Sequence, residues 1–165
     1  MMHVMAALHL PWSRKLTENA ARSDLVSKFT CIMNEGHEKG DGTVLDSAVA
    51  IDFVLHCPDG SKKNRHESRA AFTAMRNALS DFTLRCDPVL VDGNLLSART
   101  IMEGRFTKTF NMEPMGQAQP NDQPIHFETI SIFRFDDQGL LAEEWAQSDN
   151  MTLMGQMGLL PPRQA

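Results

Sequence analysis

Residues 125–149, IHFETISIFRFDDQGLLAEEWAQSD, have the pattern of two β-strands joined by a tight turn. Apolar and polar side chains alternate along residues 125–135 and again along residues 140–149, which is the period of a half-buried strand. The DDQG between them ends in glycine, a residue that reversing turns favour. The stretch therefore predicts an antiparallel hairpin near the end of the chain.

The chain before this hairpin predicts a helical half followed by a sheet half. The expected elements are an amphipathic helix over 17–37, a short helix through 44–48, a strand over 50–58, a helix over 66–79, two strands around the Asp92-Gly93 turn, and a long loop over 111–124. Helices followed by strands indicate an α+β fold. We expect a curved antiparallel sheet to wrap around the long first helix and to leave a cone-shaped cavity, a natural ligand site.

Length and charge narrow the class of protein. A chain of 165 residues suits one domain, which we assign to residues 16–165, with residues 1–15 as an N-terminal arm. The net charge of −5 argues against a nucleic-acid partner, because phosphates call for a basic face. The apolar run from Val4 to Leu10 is too short to span a membrane, so we expect no membrane partner.

The cysteines indicate the compartment and argue against a metal. Cys31, Cys57 and Cys86 are far apart and odd in number, and the sequence has no CxxC spacing. This pattern is typical of buried thiols in a reducing cytoplasm, not of zinc ligands or disulfides. With no HExxH motif or glycine-rich phosphate loop either, we expect no metal and no cofactor.

The tail resembles a known family. The stretch FRFDDQGLLAEEWAQSDNMTLMGQMG carries, in order, Phe133-Arg134, Gly139, Glu144-Trp145, Asp149 and Gln156-Met157-Gly158. This order is similar to the ending of the SnoaL-like polyketide and ester cyclases. The resemblance implies a nuclear-transport-factor-two-like, ketosteroid-isomerase-like fold, also called a cystatin-like α+β barrel. It also implies a small hydrophobic, oxygen-bearing ligand and proton transfer without a cofactor. The even positions Ile130 and Ile132 would form an apolar sheet face, from which we expect a homodimer.

Two positions depart from that family's pattern. Many members carry a histidine where this chain has Phe106, and a histidine or aspartate where it has Ser131. Two side chains that could transfer protons are therefore missing, which weakens the case for an aldol cyclisation in particular.

Asp149 is the candidate general acid and base. Strict alternation places Glu143, Trp145, Gln147 and Asp149 on one face of the last strand, and that face lines the cavity if Trp145 does. A carboxyl group in an apolar pocket has a raised pKa and can exchange protons near neutral pH. The alternative is that Asp149 caps the closing helix through its first free amide groups. The sequence leaves both open.

His56 is the second catalytic candidate, and six further side chains complete a predicted polar and apolar lining. His56 could donate a hydrogen bond to a substrate carbonyl or assist Asp149, or it could be a half-buried structural histidine. Arg99 would pair with Glu143 if the two share a face, or form a surface ion pair. Ser131 is either a polar pocket residue or a cross-strand hydroxyl. The residues expected to fill or line the cone are Trp145, Phe29 and Met33, in a chain with eleven methionines.

Three functions fit this pattern. The first is a cofactor-free enzyme that catalyses cyclisation, isomerisation, hydration or dehydration with Asp149. The second is a non-enzymatic protein that uses the same cone to bind an apolar ligand or to dimerise, because one fold hosts both activities. The third is a transport or scaffolding module, which would have an exposed apolar sheet face instead of a deep pocket.

Overall fold

A computed structural model gives the structure of residues 11–112 and 116–160. The first ten residues of the expected arm lie outside the described part of the chain. Residues 11–15 are helical, because the first helix begins at Pro11. Proline suits the first turn of a helix, where its missing N–H would have no partner anyway.

The elements follow the expected order, with more strands than the sequence predicts. The helices are α1 Pro11–Cys31, continued by a π-helical segment Ile32–Glu38, then α2 Gly42–Ala48, α3 Arg65–Ala78 and α4 Asn150–Gln156. The strands are β1 Val49–His56, β2 Lys62–Asn64, β3 Leu79–Asp92, β4 Leu95–Phe106, β5 Phe110–Met112, β6 Gly116–Ala118, β7 Pro124–Phe135 and β8 Leu141–Ser148. The predicted loop over 111–124 is therefore wrong in part, because β5 and β6 pair with each other inside it.

One six-stranded sheet carries the cavity. Its order is β2-β1-β8-β7-β4-β3, and all neighbours are antiparallel except β1 and β8, which run parallel. The β1 strand comes from the helical half, and its pairing with the last strand extends the sheet to the strands that contact α2 and α3. The α+β architecture with a curved sheet and N-terminal helices is confirmed.

The core lies between the inner face of the sheet and the helices. Phe29 of α1 is 1% exposed, and its ring lies 4.8 Å from that of Phe133 on β7. Burial of aromatic and aliphatic side chains of this kind is the main stabilising contribution to such a domain. The expected buried thiols are wrong in detail, because Cys31 is exposed and the other two cysteines are half-buried. No helix in the described ranges is long and apolar enough to cross a membrane.

Candidate active site

A cavity of about 380 Å³ opens between the sheet and the helices. Most of its wall is apolar, with side chains from the π-helical segment, α2, α3 and the inner faces of β1, β4, β7 and β8. The members that matter most for chemistry are His37, Lys63, Arg69, Ser131 and Glu144. A volume of this size suits a small organic molecule.

Glu144 is the carboxyl group of this cavity. It is 8% exposed, and Ser131 Oγ donates a hydrogen bond of 2.9 Å to its Oε1. Burial raises the pKa of Glu144 to about 7, and the Ser131 hydroxyl opposes that rise only in part. Near neutral pH the group is therefore present in both its acid and its base form, which general acid–base catalysis needs.

A bulge in β8 brings Glu144 inward. Phe135 pairs with Leu141, but Arg134 then pairs with Glu143 and Phe133 with Glu144, so Ala142 is an extra residue on its strand. A shift of one residue moves every later side chain to the other face of the sheet. The expectation that the face with Glu143, Trp145 and Asp149 lines the cavity is therefore wrong.

His37 supplies a second polar group from the helical wall. Its ring stacks on Phe72 at 3.9 Å, and its Nδ1 is buried with no hydrogen-bond partner among the described residues. Burial, with the Arg76 and Arg69 charges, lowers the pKa of His37 to about 4, so the ring is neutral at pH 7. A buried imidazole nitrogen without a partner is costly, and a ligand hydroxyl or carbonyl would satisfy it.

The local backbone explains how His37 reaches the cavity. A π-helical turn inserts one residue into a helix and so rotates the side chains that follow it. Gly36 lets this segment lie against α2, because a Cβ there would stand 2.5 Å from Leu45 Cδ2. Arg76 Nη1 donates to the His37 carbonyl oxygen at 3.1 Å and ties the end of the segment to α3.

Most of the predicted polar site lies on the outer face of the sheet. Glu143 accepts hydrogen bonds from Arg134 at 2.9 Å and pairs with His56 Nε2 at 2.8 Å. His56 also stacks on Trp145, with ring centroids 5.2 Å apart. These partners lower the pKa of Glu143, with the His56 hydrogen bond as the largest cause. The structure thus brings His56, Glu143 and Trp145 together, but none of them lines the cavity.

Asp149 is exposed at the end of β8 and lies outside the cavity lining. Its carboxylate accepts hydrogen bonds from Thr152 N at 3.0 Å and Thr152 Oγ1 at 2.6 Å, as a cap of α4 does. The capping interpretation is confirmed. A catalytic role for Asp149 or His56 stays a prediction, and their positions do not support it.

The remaining predicted residues divide between cavity, core and surface. Met33 and Ser131 line the cavity, whereas Phe29 is core. Arg99 does not pair with Glu143; it forms two hydrogen bonds with Glu128 on the neighbouring strand, of 2.9 and 2.6 Å. In the described ranges, no group of three His, Cys, Asp or Glu side chains could hold a metal ion.

A comparison with models of protein families identifies the family of this chain. The family model of the SnoaL-like polyketide cyclases matches residues 29–157, which include α2 to α4 and both polar groups of the cavity. The chain belongs to this family. No curated protein sequence matches the chain at a significant level.

Solved structures share the fold of this SnoaL-like chain. IdmH of Streptomyces antibioticus, a proposed polyketide cyclase, is 22% identical, with a TM-score of 0.66 over 81% of this chain and 98% of its own. TsrD of Streptomyces laurentii is 23% identical, with a TM-score of 0.65 over 86% and 97%. An LEH-like epoxide hydrolase of M. tuberculosis is 12% identical, with a TM-score of 0.60 over 83% and 91%. At these identities the likeness shows the fold alone.

Proposed function

We propose that this SnoaL-like protein is a cofactor-free acid–base catalyst that acts on a small apolar, oxygen-bearing molecule in the cavity. The observation that carries the proposal is Glu144, a buried carboxyl group whose pKa is raised to about 7 and which faces an apolar cavity. Perturbed carboxyl groups in clefts are typical of proton-transfer sites.

His37 supports the same reaction from the helical wall. Its neutral ring can donate to, or accept from, a substrate oxygen, while Glu144 takes a proton from the neighbouring carbon. Proton removal next to a polarised oxygen is common to cyclisation, isomerisation and dehydration. We therefore propose a reaction of that kind and assign the acid–base role to Glu144.

A probe reaction tests the proposal without the natural substrate. A carboxylate in an apolar pocket removes the C–H proton of 5-nitrobenzisoxazole, and the N–O bond then breaks to give a coloured phenolate. We expect Glu144→Gln to lower this rate about 100-fold, the usual contribution of a positioned base. Glu143→Gln is the matched control, because it removes the neighbouring carboxylate on the other face of the sheet. Equal rates for wild type and Glu144→Gln would favour the non-enzymatic binding function.

We further propose a homodimer formed through the outer face of the sheet. Ile132 and Trp145 are paired neighbours there, 46% and 38% exposed, and Ile130 beside them is 61% exposed. A contiguous apolar face of this kind is usually covered by a partner, and in a homodimer the same face serves both copies. Ile132→Glu should convert the dimer to a monomer in light scattering, and a wild-type chain that is monomeric at all concentrations would contradict this.

We also propose a cytoplasmic location, which the free thiols support, because thiols stay reduced in that compartment.

A further inference from the structure

Three basic side chains that are close in the sequence line the cavity. Lys63 of β2 and Arg65 and Arg69 of α3 all line it, together with the carboxylate of Asp59 in the preceding turn. All three basic residues are partly buried, in a chain whose net charge is −5. These residues form a positive patch at the cavity of an acidic protein. The balance of cations and carboxylates in the patch determines which ligand charge it can bind.

The ion pairs in this patch leave positive charge over. Arg65 and Arg69 share one carboxylate, Asp46 Oδ1, at 2.6 and 3.1 Å, and Arg65 also donates to the Val49 carbonyl oxygen. Asp59 accepts hydrogen bonds from the N–H and hydroxyl of Ser61.

The side-chain ammonium of Lys63 forms no hydrogen bond or ion pair within the described ranges. The hydrogen bonds from Ser61 lower the pKa of Asp59, and the charge of Lys63 adds to that effect. The patch therefore has three cations against the two carboxylates of Asp46 and Asp59, a local excess of one positive charge.

Lys63 and Glu144 lie in one row across the inner face of the sheet. Leu55 of β1 pairs with Lys63 on one side and with Glu144 on the other. Two strand spacings separate the backbones of Lys63 and Glu144 by roughly 10 Å. The apolar Leu55 side chain, 9% exposed, lies between the two charged positions.

We propose that the cavity binds an organic acid, with the ligand carboxylate against Lys63 and Arg69 and its apolar body along Leu55 toward Glu144. The local excess of one positive charge matches one carboxylate. The opposite orientation is disfavoured, because it would put two carboxyl groups side by side at the buried end. The reacting end of this ligand rests on the proposed function, whereas the anion site requires only the cavity.

A pair of ligands and a pair of variants test the inference. Octanoate and octan-1-ol have the same chain and differ in charge, and at pH 8 octanoate is fully ionised. We expect octanoate to bind wild type about fivefold more tightly in calorimetry, the upper range for a partly exposed ion pair, with the difference shrinking as salt is added. Lys63→Gln should remove this preference, and Arg69→Gln should reduce it.

The neighbouring lysine is the matched control. Lys62 is exposed and does not line the cavity, so Lys62→Gln should bind octanoate as wild type does. Equal affinity for octanoate and octan-1-ol, or equal effects of Lys62→Gln and Lys63→Gln, would overturn the inference. Binding of neither ligand would overturn it as well. One result would support the anion site and reject the proposed catalyst. In that result, Glu144→Gln leaves the rate of the probe reaction unchanged, and octanoate binding to Glu144→Gln still depends on Lys63.

Discussion

Glu143 and Glu144 are adjacent in β8 and have the same side chain, yet their surroundings are opposite. Glu143 lies on the outer face between His56 and Arg134, and these partners lower its pKa. Glu144 lies on the inner face, with one hydroxyl as its partner, and burial raises its pKa to about 7. Pairing keeps the first carboxylate charged, whereas burial lets the second exchange its proton.

The face of a strand, more than the type of residue, determines the chemical role of a carboxyl group. An acid with two positively charged or hydrogen-bonding partners has a structural role and a stable charge. An acid with an apolar cavity in front of it can interact with a ligand. Variants at the two positions should therefore differ in sign as well as in size.

The largest expected effect is on stability as a function of pH. The pKa of Glu144 is about 7 folded and near 4.5 unfolded. The unfolded chain thus releases this proton first, and stability falls as the pH rises from about 4.5 through 7. The total loss is roughly 3 kcal/mol, since one pKa unit corresponds to about 1.4 kcal/mol. Glu144→Gln should remove this loss and be more stable than wild type at pH 8.

The matched variant should show the opposite slope. The pKa of Glu143 is lowered in the folded state, so its contribution is present above the unfolded pKa and is lost as the pH falls. Glu143→Gln should therefore be less stable than wild type at pH 7, with the difference shrinking toward pH 3. Urea unfolding between pH 3 and 8 measures both variants. Parallel curves for Glu143→Gln and Glu144→Gln would contradict the contrast between the two faces. Cys86, which feels the charge of Glu144, stays neutral over this range because burial raises the pKa of its thiol. Burial lowers the pKa of His37 to about 4, so its ring becomes charged only toward pH 3, in wild type and in both variants alike.

The pH dependence of the probe reaction should give the next largest effect. If Glu144 is the base, the rate follows its ionised fraction and rises about tenfold between pH 6 and 8, with a midpoint near 7. Glu143→Gln should leave that midpoint unchanged. A midpoint near 4.5 would show that the base is an exposed carboxylate instead.

The sequence could predict the architecture but not this division between faces. The alternation in residues 125–135 predicts that Ser131 and Phe133 share one face, and they do so on the cavity side because β7 is regular through those residues. The same reasoning fails on β8, because the extra residue at Ala142 reverses the alternation and no side chain in that stretch signals it. The sequence shows Glu144 directly before Trp145, but only the register of β7 and β8 shows that Glu144 faces the cavity.

His37 is the second cavity residue that the sequence did not identify, for a different reason. His37 stands in MNEGHEKGD at the end of the first helix, where regular helical periodicity gives it no special place. Its position depends on the π-helical turn and on stacking with Phe72 from another helix. Tertiary contacts of that kind cannot be read from local spacing.

A smaller effect should come from the hydrogen bond that Ser131 donates to Glu144. That hydroxyl stabilises the carboxylate form, so Ser131→Ala should raise the pKa of Glu144 further, by about one unit, given roughly 1.5 kcal/mol for a hydrogen bond to a charged group. The midpoint of the probe reaction should move upward with it. Ser97 is a suitable control, because its hydroxyl donates to the Ser131 carbonyl oxygen and does not touch the carboxyl group. An unchanged midpoint in Ser131→Ala would mean that the hydroxyl does not hold the carboxylate in solution.

The smallest expected effect concerns the third acid of this region, Asp149, and it separates capping from catalysis. Asp149→Ala removes the cap of α4 and should lower the free energy of unfolding by about 1 kcal/mol. Asp149→Asn keeps an oxygen that can accept the Thr152 N–H, so most of that stability should return. The probe reaction, measured below the unfolding transition, should retain its midpoint near pH 7 in both variants. Loss of the reaction in Asp149→Asn with stability intact would return the acid–base role to Asp149, and the contrast between Glu143 and Glu144 would then describe stability alone.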